Sequence, residues 1–174
     1  MTILVSLSGL PGVGKTTLAK ELAVRVRAIH LRVDSIEAAM KNSALGIHPA
    51  EDAGYLAIAS IAKDNLLLGF DVIADTVNPI ETTRRLWADT AVAGAACLLN
   101  IEVVCSDQTL HRKRVEARKS DIEGLVVPNW RTVLNRTFEP WQEDHVIVDT
   151  SVNSIEKCAA IIADEMANRN CIVR

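Results

Sequence analysis

The chain predicts a doubly wound α/β fold built on a parallel sheet. Three observations carry that expectation. Apolar runs of strand length alternate with stretches of helical periodicity across all 174 residues. The first run closes on a glycine-rich turn that opens directly into a helix. No linker, repeat or low-complexity tract breaks the alternation, so 1–174 reads as a single domain with one sizeable core. Strands separated by helices pair in parallel through right-handed crossovers.

The elements follow in order. Residues 2–8 (TILVSLS) read as a buried strand, and 15–28 (KTTLAKELAVRVRA) as a helix of good helix formers. Residues 29–33 (IHLRV) are a second strand, followed by a helix from Asp34 to about Lys41 and a loop over 42–49. A helix spans 50–68, where Tyr55, Ile58, Ile61, Ala62 and Leu66 recur at helical spacing. FDVIAD (70–75) is a strand, Pro79 starts a helix to about Gly94, and CLLNIEVVC (97–105) is the longest strand. A strongly basic helix covers 107–119, HVIVD (145–149) is a fifth strand, and 153–169 closes the chain as a helix. The irregular stretch 120–129 (SDIEGLVVPN) is a mobile-loop candidate.

Composition narrows the partners. Hydrophobic residues are 49% and charged residues 24%, as in ordinary globular chains. No apolar stretch reaches the roughly 18 residues of a spanning helix, and the N-terminus lacks signal-peptide features, so the expected compartment is the cytoplasm. A net charge of −3 argues against a nucleic-acid partner. Cys97, Cys105, Cys158 and Cys171 form no CxxC pair and the four histidines form no HxxxH, so a protein-built metal cage is not expected.

The stretch GLPGVGKTT, residues 9–17, matches G-x-x-x-x-G-K-[ST] with a strand before it and a helix after it. Gly9, Gly12 and Gly14 let the backbone turn so that N–H groups along Leu10, Pro11's neighbours and Val13 face phosphate oxygens at a helix N-terminus. Lys15 is placed for the β/γ-phosphates, the Thr16 hydroxyl for Mg²⁺, and Thr17 for the α-phosphate. The motif thus specifies a nucleotide site; the remaining residues must say what receives the phosphate. A GTP-hydrolysing switch lacks support, because no NKxD segment exists and the DxxG match at Asp121–Gly124 follows the fourth strand.

Asp34 ends the second strand, and ligands of open parallel sheets lie at the carboxyl ends of strands. A carboxylate there accepts the proton of an incoming hydroxyl, or instead caps the helix that begins at Ser35. At GLPGVGKTTLAKELA, VDSIEAAM, GFDVIADTVNP, HRKRVEARKSD and the segment from Trp130 to DTS at 149–151, the chain resembles small P-loop kinases of the AAA_33 type. These lie near chloramphenicol phosphotransferase, polynucleotide 5′-kinases and zeta toxins. The resemblance runs in order over nearly the whole length. It implies a P-loop NTPase fold like that of the nucleoside monophosphate kinases, three-layered, with a five-stranded sheet ordered 2-3-1-4-5. It also implies ATP- and Mg²⁺-dependent phosphorylation of a hydroxyl, with Asp34 as general base.

Further roles follow from the resemblance. Asp75, in a D-x-x-N pattern with Asn78, orients the acceptor or the Mg²⁺ shell, whereas Asp71 opens the same strand at the wrong edge. An arginine pair before a lid neutralises the transferred phosphoryl, which assigns Arg118, then Arg114, then Arg112 as nucleotide contacts and 119–130 as the lid. The helix containing Tyr55 is where such kinases build an acceptor pocket. Many relatives carry D-x-x-R where this chain has Glu37; a carboxylate repels anionic acceptors and favours a neutral or cationic small molecule, provided Glu37 does not face solvent. Trp87 is expected in the core, and Trp130 and Trp141 flank a post-lid helix, where they either pack or line the acceptor cleft. The rival readings are a nucleic-acid 5′-hydroxyl kinase and a nucleotide-binding module without catalysis. No pattern specifies an oligomeric state.

Overall fold

The computed structural model describes residues 1–172. Five strands, β1 (Ile3–Ser8), β2 (Ile29–Arg32), β3 (Val72–Asp75), β4 (Cys97–Val104) and β5 (Val146–Asp149), form one parallel sheet. Their order is β2-β3-β1-β4-β5, as expected. The helices are α1 (Lys15–Val26), α2 (Val33–Asn42), α3 (Ala53–Leu67), α4 (Glu81–Ala93), α5 (Gln108–Ala117), α6 (Trp130–Leu134) and α7 (Ile155–Ile172).

Alternation along the strands splits the core into two layers. Ile3, Val5 and Leu7 of β1 pack with Leu18 and Leu22 of α1 and Cys158 and Ile162 of α7. Leu4, Val72 and Ala74 face the other way, onto Ile58, Ala62 and Leu66 of α3 and Trp87 of α4. Burying both faces of β1 explains why its sequence is a continuous apolar run rather than an alternating one. Trp87 is fully buried, and its indole Nε1 donates to Asn78 Oδ1 at 2.8 Å.

Several boundaries depart from expectation. α3 begins at Ala53, and Ile61 is 39% exposed, so the buried stripe of that helix runs through Ile58, Ala62 and Leu66 without it. α4 begins at Glu81 rather than Pro79, because Asn78 takes a left-handed φ of 45° and Ile80 stays extended. The post-lid helix α6 has only five residues, started by Asn129, whose side chain accepts from Thr132 N. Trp130 meets the His111 ring edge-on and Trp141 stacks on His145 and beneath the Arg84 guanidinium, so both are packing residues. Cys97, Cys105 and Cys158 are free thiols; the Cys171 side chain lies outside the described residues. Among the described residues no helix is long and apolar enough to cross a membrane.

Strand register assembles the site. Leu7 lies opposite Asp75, and Asp75 opposite Arg32, so β1, β3 and β2 end side by side. The 9–14 loop, the 76–80 segment and α2 therefore leave from one edge of the sheet. Asp71, at the opposite end of β3, is spent on the backbone: its Oδ1 accepts from Ile3 N at 2.8 Å.

Candidate active site

At that edge lies a cleft of about 870 Å³. The glycine loop forms its floor. Gly9, Gly12 and Gly14 have φ values of 136°, 87° and 101°, the left-handed region that favours glycine. Two are also sterically required: a Cβ on Gly9 would lie 2.2 Å from Val103 O, and one on Gly12 2.4 Å from Val115 Cγ2. Gly14 is the N-cap of α1 with no side-chain cap, so the first N–H groups of the helix face the cleft unused. Leu10 and Val13 turn their side chains into the core, and Pro11 O accepts from His111 Nε2 at 2.8 Å. The loop thus presents backbone, while its side chains anchor it.

Lys15 is 8% exposed and folds back so that Nζ donates to Gly9 O at 2.7 Å and Leu10 O at 3.0 Å. Burial lowers its pKa to about 8 even though Asp75 and Asp34 pull upward. Among the described residues no carboxylate lies within ion-pair distance of Lys15. A desolvated cation at a helix N-terminus is a site made for an anion.

The wall opposite is acidic and paired. Asp34 is the second residue of α2, whose N-cap is Arg32, and it makes no capping bond; the capping reading therefore falls away. Asp34 Oδ2 lies 3.5 Å from Arg32 Nη2 and 3.8 Å from Arg118 Nη2. Asp75 is 3% exposed with Oδ2 3.2 Å from His30 Nε2. Burial pushes its pKa up, but His30, Lys15 and Thr16 together outweigh that and hold it below the usual carboxylate range. Glu37 faces the cleft rather than solvent; burial first, then Asp34, raise its pKa. Tyr55 also lines the cleft, its hydroxyl accepting from Asn78 N at 3.3 Å.

Other predicted residues separate. Thr16, Thr17, Arg114 and Arg118 line the cleft. Arg114, however, spends its guanidinium on Thr150, donating to Oγ1 at 2.8 Å and to the carbonyl at 3.0 Å, while Thr150 Oγ1 donates to Val13 O at 2.7 Å. Arg112 points outward and pairs with Glu116, a solvated contact away from the cleft. Asn78 is fully buried and braces the end of β1, donating to Ser6 Oγ at 2.8 Å and Leu7 O at 3.0 Å.

Four participants escaped the sequence. His30 sits mid-strand and reaches Asp75 only across the sheet. Arg32 bridges Asp34 and Asp121, the latter at 2.8 Å, and Lys20 reaches Asp121 at 3.0 Å. These two cations, led by Arg32, hold the Asp121 carboxyl well below its ordinary range and tie 118–129 to the cleft rim. The Asp121–Gly124 match is thus no guanine-nucleotide motif, yet Asp121 has a structural partner. Arg136 lines the cleft close enough for its charge to act on Lys15, Glu37 and Tyr55.

The residues fit a nucleotide and a hard divalent ion. Thr16 and Asp75 offer oxygen ligands, which suit Mg²⁺, and among the described residues no group of three His, Cys, Asp or Glu could hold a metal alone. That is the arrangement of an ion completed by substrate phosphates and water.

The glycine loop, the sheet order and the single cleft edge define a P-loop kinase-like fold. A family model described as an AAA domain (AAA_33) matches residues 4–140, and the chain belongs to that family. It is similar to a protein of Aeropyrum pernix named as a probable adenylyl-sulfate kinase, 26% identical over 171 residues, covering 88% of this chain and 86% of that one. It superposes on the Mycobacterium tuberculosis APS kinase CysC bound to AMPPNP and APS with TM-score 0.72 and 13% identity, covering 95% and 98% of the chains. A gluconokinase of Sinorhizobium meliloti gives TM-score 0.62 and 18% identity, covering 97% and 96%.

Proposed function

We propose that the chain is an ATP-dependent kinase that transfers the γ-phosphoryl group to a hydroxyl of a small molecule. The observation that carries the reading is that Asp34 and Lys15 line one cleft, close enough for the Asp34 charge to act on Lys15, with Arg118 Nη2 3.8 Å from Asp34 Oδ2. Lys15 takes up the β/γ-phosphates when it leaves the Gly9 and Leu10 carbonyls, and the N–H groups of residues 12–17 hold the remaining oxygens. Thr16 and Asp75 would hold Mg²⁺, which would supply neutralisation of phosphate charge. Asp34 accepts the hydroxyl proton, and Arg118 faces the charge that spreads onto the transferred group. Segment 119–130 is the lid that keeps water from competing. Arg114 acts one step back, steadying Val13 through Thr150.

The kinase relatives and the absence of a basic excess both favour a small acceptor over a nucleic-acid end. The test is Asp34→Asn, which keeps the shape and removes the base. Nucleotide binding should persist while phosphoryl transfer drops by about 10² or more, the cost of losing a general base. ADP release against pooled metabolites, antibiotics and nucleosides supplies the assay; unchanged turnover in the variant refutes the role.

A further inference from the structure

Of the four carboxylates that line the cleft, three have basic side chains as partners: Asp34 has Arg32 and Arg118, Asp75 has His30, and Asp121 has Arg32 and Lys20. Glu37 alone has no hydrogen bond and no ion pair among the described residues, although Arg136 lines the same cleft. Its position is nonetheless built. The side chain lies against Gly54 of α3, so closely that a Cβ there would fall 2.6 Å from Glu37 Cγ and 2.9 Å from Oε1. Gly54 is helical and buried, with no left-handed φ to require glycine. The space for Glu37 is what the missing side chain provides.

A half-buried carboxylate beside a second one, with its own pKa raised, is an unfavourable arrangement unless a ligand completes it. Neutral hydroxyl donors relieve it weakly; an ammonium relieves it through a charge-assisted hydrogen bond. The partner must also present an alcohol to Asp34, three residues earlier on the same helix face. Side chains at i and i+3 have Cβ atoms about 5–6 Å apart. We propose that Glu37 is the acceptor-recognition residue and that the acceptor is an amino alcohol, its ammonium on Glu37 and its hydroxyl on Asp34. The assignment rests on the kinase reading above and narrows its substrate class.

The step balances without another reactant. The hydroxyl oxygen forms a bond to the γ-phosphorus, the bond from that phosphorus to the β–γ bridging oxygen breaks, and ADP departs with the electron pair. The hydroxyl proton goes to the Asp34 carboxylate. The ammonium keeps its protons on Glu37, which leaves its nitrogen without a lone pair and directs transfer to oxygen.

The test compares matched alcohols: glucosamine with glucose and glucuronate, and 3-aminopropanol with 1,3-propanediol and 3-hydroxypropionate. ADP release gives rates, and ³¹P NMR distinguishes a phosphate ester from free phosphate. The amines should exceed their neutral partners in kcat/KM by about tenfold or more, and the acids should be poorest. In Glu37→Gln the amine-to-neutral ratio should fall to about one, a ratio that does not depend on the fraction of protein folded. Gly54→Ala, which leaves the charge but displaces the carboxylate, should lower the ratio in the same direction. Neutral or anionic members matching the amines, or a ratio unmoved in Glu37→Gln, overturns the assignment and leaves the kinase reading standing. No ester from any amine also overturns it; the kinase reading falls only if the wider pool of hydroxyl compounds yields no transfer.

Discussion

Replacing Lys15 with methionine should raise the thermal stability of the nucleotide-free protein while abolishing nucleotide binding. The side chain is almost completely buried, and desolvation brings its pKa from 10.5 to about 8. That difference costs the folded state about 3 kcal/mol at pH 7, because the unfolded chain holds the proton more tightly. Losing the hydrogen bonds to the Gly9 and Leu10 carbonyls gives back about 1–2 kcal/mol. Lys15→Met is therefore stabilising by about 1–2 kcal/mol at pH 7, a rise in Tm of about 2–8 °C for a chain of this size. The pH trend identifies the cause. Since the folded pKa is depressed, the unfolded state binds more protons between pH 8 and 10.5, and wild-type stability gains with rising pH in that window. The penalty shrinks to about 2 kcal/mol at pH 9, so the two melting curves should converge there. Calorimetric scans of both proteins from pH 7 to 9.5 are the assay. A variant that melts lower at pH 7, or a gap that widens with pH, refutes the account of Lys15 as a desolvated, unpaired cation.

Further predictions rest on other contacts. Wild-type affinity for an ATP analogue, read by calorimetric titration, should weaken about tenfold from pH 7 to pH 9 as Lys15 loses its proton. Asn78→Ala strands the Trp87 indole N–H, Ser6 Oγ and the Leu7 carbonyl of β1 in a fully buried site, and chemical denaturation should show a loss of about 2–4 kcal/mol. Asp121→Asn removes the anchor shared by Lys20 and Arg32; hydrogen exchange in 118–129 should accelerate while that of α3 stays fixed, at a cost of about 1 kcal/mol or less to global stability.

How much of this the chain discloses depends on range. The glycine loop is legible because phosphate binding is local: nine consecutive residues carry the turn, the amine and the hydroxyl. The ends of β1 and β3 are legible because apolar runs stop at Gly9 and after Asp75. His30, Arg32 and Arg136 are not: His30 meets Asp75 45 positions away, Arg32 meets Asp121 89 positions away, the charge of Arg136 acts on Glu37 roughly a hundred positions away, and nothing at their own positions departs from a strand or a loop. Arg114 shows a long-range use of a different kind. It lines the cleft, but Thr150, brought in by β5, takes up its guanidinium. Arg84 shows the same limit: it is buried in mid-helix and braces the carbonyls of Glu139 and Pro140, a use that no local pattern announces.

The bond chain from Arg114 through Thr150 to Val13, together with His111 on Pro11 and Val115 against Gly12, bolts α5 to the nucleotide loop at three points. A helix so fastened cannot swing without deforming the seat beneath the triphosphate. A lid of the kind proposed above would then pivot past its last turn, where Arg118 takes an extended φ and ψ of −66° and 126°. On the proposed kinase reading, closure would be a matter of a dozen residues hinging at one arginine while the seat itself stays still.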